Sequence, residues 1–279
     1  MTEPTASSDD NQSPRAAGSR FGIVIPVYRA DPDRLGEYIE RLDDELAPAR
    51  IHVEADCPSE AVLQRLASTT ATVNVADRRR GKGAAITAGF DELDTDILAF
   101  VDADGSTPTS SLEAVIKPVI EGSAALAVGS RRHPEATVTT HQSRVRRRLG
   151  DVLVAIARLI LPVELYDYQC GAKAIDRSTW ETVRGELTSR GFAWDIELVC
   201  LVDGVGAPIR EIPILWEDRP GSTVPVVRSG IGFGRALFRG WHRAGLVNGS
   251  PLHRSIDRAL PTTVPIVESP QCYGEERDR

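Results

Sequence analysis

Lysine is scarce: of 33 basic residues in the 279-residue chain, only Lys82, Lys117 and Lys173 are lysines. Nearly every positive charge is therefore a planar guanidinium, suited to bidentate contact with phosphate, although a genome-wide preference or a saline habitat gives the same bias. The four cysteines, Cys57, Cys170, Cys200 and Cys272, lie far apart, with no Cys-x-x-Cys spacing and no nearby histidine. That pattern excludes a zinc finger and points to free thiols in a reducing cytoplasm. His52, His133, His141, His242 and His253 likewise lack metal-ligand spacing. No apolar run reaches the roughly 18 to 20 residues that cross a bilayer, and the N-terminus lacks a charged-then-apolar leader. The expectation is a soluble or peripheral protein on the cytoplasmic side. A net charge of −7 argues against a nucleic-acid binder. The Gly-x-x-x-x-Gly-Lys-Ser/Thr spacing of a Walker loop is missing, as are internal repeats and the glycine-rich N-terminal signature of a nucleotidyltransferase.

What the chain does have is a globular composition, 41% hydrophobic and 26% charged, enough for a sizeable core. Residues 1–20 are rich in Ser, Thr, Pro, Asp and Asn and read as a mobile tail, residues 21–248 as the folded domain, and residues 249–279 as a weakly ordered tail. Within the domain, short apolar runs alternate with helical patterns. Strands are expected at 21–27, 51–53, 72–75, 97–101, 124–128 and 171–175, with an extended segment over 208–216. Helices are expected at 34–46, 60–66, 82–93, 112–120, 144–161, 193–202 and 230–246. Alternation of this kind predicts an α/β fold, a mostly parallel central sheet with helices on both faces.

Asp102-Ala103-Asp104 follows the apolar run Ile97-Leu98-Ala99-Phe100-Val101. Ligands of open α/β sheets bind where such strands end. Two acids one residue apart there are able to hold a divalent cation, Mg²⁺ or Mn²⁺, and leave coordination positions open for substrate phosphate. A solvated acidic turn is the simpler reading of the same three residues. At the first strand end, Pro26 supplies a bend, and Tyr28 a ring able to flank a nucleobase. Glu54 and Asp56 follow the second strand where a base or ribose would be bonded. After the third, Arg80-Gly81-Lys82 opens a helix, so guanidinium, ammonium and helix N-terminal N–H groups would face one anion.

Taken together, Ile25-Pro26-Val27-Tyr28, Arg80-Gly81-Lys82-Gly83 and Val101-Asp102-Ala103-Asp104 resemble the donor half of glycosyltransferase family 2. Later segments sharpen this toward the dolichyl-phosphate glucose and mannose synthase branch: Asp167-Tyr168-Gln169-Cys170-Gly171-Ala172-Lys173, Phe192-Ala193-Trp194-Asp195-Ile196-Glu197-Leu198, and Glu211-Ile212-Pro213-Ile214. The resemblance covers about residues 21 to 240. It implies a GT-A (Rossmann-like) fold, a nucleotide-sugar donor, a divalent metal on Asp102 and Asp104, and a polyprenyl (dolichyl) phosphate acceptor. It also implies donor contacts from Pro26, Tyr28, Glu54, Asp56, Arg80, Gly81, Lys82 and Ala103. Arg131 would face phosphate at the reaction centre. Arg144, Arg147, Gln169, Arg219 and Ser222 would serve the acceptor phosphate or sugar.

Asp195 has two readings under this resemblance: a general base for a hydroxyl acceptor, or an acid that orients the sugar and supports the arginines. By composition alone, Asp195 and Glu197 are an exposed helical pair. The chain departs from the family turn after the second strand, having Glu54-Ala55-Asp56-Cys57-Pro58-Ser59 in place of an Asp-Asp-Gly-Ser type sequence, which leaves the nucleotide open. Ser106, where mannose-type members often carry Gln, tilts the sugar toward glucose. Single displacement would invert the anomeric configuration. The expected role is glycan assembly of the protein N-glycosylation type at the inner face of the cell membrane. Two apolar helical faces are candidates for membrane contact: the one from Val145 to Ile160, and Leu237, Phe238 and Trp241 beside Arg235 and Arg239. The alternatives are a soluble family member using a hydroxyl acceptor and a non-catalytic nucleotide-sugar or membrane-binding module.

Overall fold

A computed structural model describes residues 19–139, 157, 158, 161, 163–217, 229–258 and 263–268. Most of the helix expected at 144–161 lies outside them. The strands are β1 (Phe21–Val27), β2 (Arg50–Asp56), β3 (Thr72–Ala76), β4 (Ile97–Val101), β5 (Leu126–Ser130), β6 (Thr137–Thr139), β7 (Ala172–Asp176), β8 (Ile209–Pro213) and β9 (Leu215–Glu217). The helices are α1 (Pro32–Leu46), α2 (Glu60–Leu66), α3 (Lys82–Glu92), α4 (Thr109–Ile120), α5 (Arg177–Val183), α6 (Trp194–Gly204), α7 (Ser229–Val247) and α8 (Pro251–Asp257).

Seven strands form one sheet in the order β3-β2-β1-β4-β7-β5-β8, and β6 pairs with β9 beside it. β7 runs antiparallel to both β4 and β5; the other pairs are parallel. The C-terminal ends of β1, β2, β3, β4 and β5 therefore share one edge. Side chains alternate between the two faces, as the two-residue period of a strand requires. Leu98 and Phe100 of β4 join Val24 in the layer packed by α3, α6 and α7, while Ile97, Ala99 and Val101 join Ile23 and Ile25 in the layer packed by α1, α2 and α4.

Local chemistry sets the boundaries. Helix α1 begins two residues before its apolar pattern because Asp31 accepts from the Arg34 amide at 3.0 Å and Pro32 fits the first turn. It ends where Ala47 takes a left-handed conformation, φ 44°, and donates to the Asp43 carbonyl. Helix α5 was not expected from the pattern; Asp176 caps it by accepting from the Thr179 amide at 3.0 Å.

Three expectations need correction. Asp195 and Glu197 are buried, not exposed, because α6 is covered on one side by the sheet and on the other by α7. Leu237, grouped with an interfacial face, is buried in the core, whereas Phe238 is exposed. Composition predicted weak order after residue 248, yet Pro251–Asp257 is helical and His253 and Ile266 are buried, since α8 packs on α7 and the Ile266 amide donates to the Leu187 carbonyl.

Phe90, Phe100, Trp180 and Trp194 form an aromatic cluster within the core. The Phe90 and Trp180 rings meet edge to face at 5.0 Å, and Trp180 lies 6.3 Å from Trp194. Both tryptophans are fully buried. Trp180→Ala should lower the unfolding free energy by about 3–5 kcal/mol, read as a fall in the urea midpoint at unchanged slope.

Candidate active site

The shared strand edge gathers most of the candidate residues that the structure describes. Val101 ends β4, and the Asp102 amide donates to the Gly171 carbonyl at 2.9 Å. Gly171 has no side chain for a physical reason: a Cβ there would stand 1.9 Å from Asp102 Oδ2. The Asp102 side chain is 42% exposed, so one face of its carboxylate opens toward solvent. Asp104, partly exposed two residues on, uses Oδ1 to accept from the Ser106 amide at 2.9 Å, a tight turn that Gly105 permits at φ 67°. Among the described residues, no group of three or more His, Cys, Asp or Glu gathers in metal-binding geometry.

Lys82, at the start of α3, places its ammonium 2.9 Å from Asp102 Oδ1 and 3.5 Å from Asp195 Oδ2. Burial disfavours that charge, but the fields of Asp102 and Asp195 outweigh it and raise the Lys82 pKa. Asp195 is 1% exposed and also accepts from Lys173 Nζ through Oδ1 at 2.6 Å. Each of its oxygens thus faces its own ammonium, and Lys173 further donates to the Cys170 carbonyl at 2.8 Å. Neither oxygen of Asp195 is left without a close cationic partner.

The acids of β2 serve the basic turn. Asp56 accepts from the Arg80 amide at 2.6 Å, the Gly81 amide at 3.1 Å and Arg80 Nε at 2.7 Å. Glu54 is fully buried and meets Arg80 Nη2 at 2.7 Å, His52 at 2.9 Å and Asn74 at 3.0 Å. Glu54, expected where a base or ribose would be bonded, lies inside the strand and is enclosed by these partners. Burial lowers the Arg80 pKa, and Asp56 with Glu54 more than restores it. With Nε and Nη2 so engaged, Arg80 shapes the turn that presents Lys82. Gly81 adopts φ 95° and passes so close to Arg190 that a Cβ would lie 2.6 Å from that carbonyl oxygen. Tyr28 at the end of β1 has Arg79 over its ring at 4.4 Å and Arg29 at 5.1 Å, with Pro26 half-buried behind it.

Arg131 follows β5. Its Nε and Nη2 grip Asp167 in a fork, at 2.7 Å to Oδ2 and 3.0 Å to Oδ1, and its guanidinium lies 5.7 Å from the centre of the Trp216 ring. Burial resists the Asp167 charge, yet Arg131 holds this carboxyl below its usual range, and the Arg131 pKa rises in turn. Gln169 donates to the Phe192 carbonyl at 3.2 Å. Arg144, Arg147, Arg219 and Ser222 lie outside the described residues. Lys173 and Asp167 escaped the sequence reading as separate site residues. One signal was available: a lysine inside the apolar strand pattern Gly171–Ile175 must find an anion, because an unpaired buried charge is too costly.

A mostly parallel seven-stranded sheet of this order, with helices on both faces, is the GT-A fold. More particularly, the chain belongs to glycosyl transferase family 2, whose model matches residues 22–182. Among curated proteins it is similar to glycosyltransferase AglD of Haloferax volcanii, 30% identical over 237 residues, covering 81% of this chain but 38% of that protein. It is also similar to the dolichyl-phosphate beta-glucosyltransferase of Drosophila melanogaster, 26% identical over 248 residues, covering 80% of this chain and 74% of that one. Its fold matches glucosyl-3-phosphoglycerate synthase of Mycobacterium tuberculosis, solved with Mn²⁺, UDP and glucosyl-3-phosphoglycerate, at a TM-score of 0.58 and 16% identity over 84% of this chain and 82% of that one. No helix among the described residues is long and apolar enough to cross a membrane.

Two predictions follow from this geometry. Gly171→Ala should drive the Asp102 carboxylate from its place and lower turnover about a hundredfold, measured as kcat against the wild type. Because Asp167 has a depressed pKa in the folded state, its contribution to stability is full above the ordinary carboxylate pKa of about 3.9 and is lost as pH falls through the lower folded value. Urea midpoints taken between pH 5 and pH 2.5 should therefore fall more steeply for the wild type than for Asp167→Asn.

Proposed function

We propose that this protein is a metal-dependent, inverting hexosyltransferase that moves glucose from UDP-glucose to dolichyl or another polyprenyl phosphate, at the inner face of the cell membrane, for glycan assembly. The observation that carries the reading is the partly exposed Asp102 and Asp104 pair at the sheet edge, with Lys82 on one side. Two carboxylate oxygens with no soft ligand suit Mg²⁺ or Mn²⁺, which would complete its coordination with diphosphate oxygens and water. When bound, such an ion would neutralise charge developing on the departing nucleoside diphosphate.

The chain's own residues supply the rest. Lys82 adds an ammonium on the donor-phosphate side, and Tyr28 offers a ring at the base end. Arg131, 30% exposed while tied to Asp167, would take the acceptor phosphate. A monoalkyl phosphate, with a second pKa near about 6, is largely dianionic at neutral pH. One of its oxygens bonds to C1 of the sugar as the bond from C1 to the donor phosphate oxygen breaks, and no protein base is needed. The saturation of Asp195 by two lysines favours this acceptor over a hydroxyl, which would require a free carboxylate. The relatives named dolichyl-phosphate beta-glucosyltransferase support both sugar and acceptor. Membrane contact falls to Phe238 and Leu252, 44% and 59% exposed, with Arg239 and Arg254 exposed beside them.

The test incubates the purified protein with UDP-glucose or GDP-mannose and a short polyprenyl phosphate. Transfer from UDP-glucose should require Mg²⁺ or Mn²⁺, stop with chelator and give a β-linked product by NMR. Asp104→Ala should lower kcat at least about a hundredfold. Activity indifferent to chelation, or a product of retained configuration, overturns the proposal. Transfer to a hydroxyl acceptor that collapses in Asp195→Asn would assign the soluble-acceptor chemistry instead.

A further inference from the structure

The segment Glu211-Ile212-Pro213-Ile214 has no place in the chemistry above, yet Glu211 makes one of the tightest backbone contacts near the site. It lies on β8, paired in register with Val128 of β5, three residues before Arg131. Both of its carboxylate oxygens accept from the Tyr166 amide, at 2.8 and 2.9 Å, and one also accepts from the Asp167 amide at 2.8 Å. Bonds from N–H groups to a carboxylate are stronger than those to a neutral oxygen, so one side chain fixes two consecutive peptides.

From that point the loop runs in two directions of consequence. The side chain of Asp167 takes the Arg131 fork, the Arg131 amide at 3.3 Å and the Gln169 amide at 3.2 Å. Four residues further on, Gly171 supplies the carbonyl that receives the Asp102 amide and the bare Cα against which the Asp102 carboxylate rests. A single short loop, pinned by Glu211, therefore touches both the residue at the reacting phosphate and the first acid of the Asp-x-Asp pair.

We propose that Glu211 is a positioning residue: through the Tyr166–Asp167 peptides and the Asp167 carboxylate it sets where Arg131 stands relative to Asp102, and so governs use of the phosphate acceptor. The inference rests on the reading of Arg131 as the acceptor-phosphate group, while the brace itself is independent of it. A strand carboxylate that merely stabilised the sheet would affect donor and acceptor alike. A brace on Arg131 acts on the acceptor first.

The test uses the full chain with Glu211→Gln and, cutting the next link, Asp167→Asn. Supporting groups behind a ligand commonly change activity by about 10- to 100-fold, and that is the loss expected in kcat/KM for polyprenyl phosphate, with donor KM within about twofold. In an Arg131→Ala background, Glu211→Gln should cost less than about twofold more, because the two changes act through one group. Additive losses, or equal losses on both substrates, overturn the proposal. A second readout needs no transfer reaction. Cys170 lies in the same loop, 1% exposed, with burial pushing its thiol up to about 12. Alkylation at pH 8, followed by mass spectrometry of the Cys170 peptide, should be at least about tenfold faster in Glu211→Gln and in Asp167→Asn than in the wild type. Unchanged labelling in both variants overturns the brace. Absence of transfer to any phosphate acceptor by the wild type, with faster labelling in the variants, overturns the functional reading and keeps the brace.

Discussion

Opposite charges alternate from the rim of the sheet into its interior: Asp102, Lys82, Asp195, Lys173. Each neighbour lies within 3.5 Å of the next. The inner pair is almost completely removed from water, where a lone carboxylate or ammonium would be prohibitively costly. These four groups together are neutral, and loss of Asp195 would leave Lys173 buried without its carboxylate partner. Strand β7 lies antiparallel between β4 and β5. There Lys173 pairs across the strands with Phe100, in the same layer to which α6 brings Asp195. Gly83 comes so close to Trp194 that a Cβ would lie 2.4 Å from that side chain. Helix α3 must come this near to α6 for Lys82 to reach Asp195.

The arginines obey the same rule by a different route. Arg80 is held by Asp56 and Glu54, and Arg131 by Asp167. A guanidinium with an unconstrained side chain would lose rotamer entropy on meeting a phosphate, whereas one already clamped by a carboxylate is preorganised before substrate arrives. The clamp also has a chemical cost, because part of the guanidinium is already occupied. Arg80 has given two of its nitrogens to acids and so builds the turn. Arg131 keeps 30% of its side chain exposed and remains available at the rim. Both arginines follow strands of one sheet, β3 and β5, and they differ in how completely their partners enclose them.

What the sequence by itself determined is everything local in origin. The apolar run before Asp102 forms a buried strand because five consecutive apolar residues leave no face for solvent, and an Asp-x-Asp after such a strand falls at the edge where the other strands end. The turn Arg80-Gly81-Lys82 was legible because it stands between an apolar strand run and a helical pattern. What only the tertiary structure decided is which charges meet. Whether Asp195 is an exposed acid or a buried one between two lysines depends on which layer covers α6, and Glu54 is buried because β3 and the basic turn close over it. Asp167 and Glu211 lie 36 and 80 residues from Arg131 in sequence, yet converge on one loop. Strand pairing over such separations follows from sheet order and the burial of both faces, which act on the whole chain at once and leave no periodic mark on any short stretch of it.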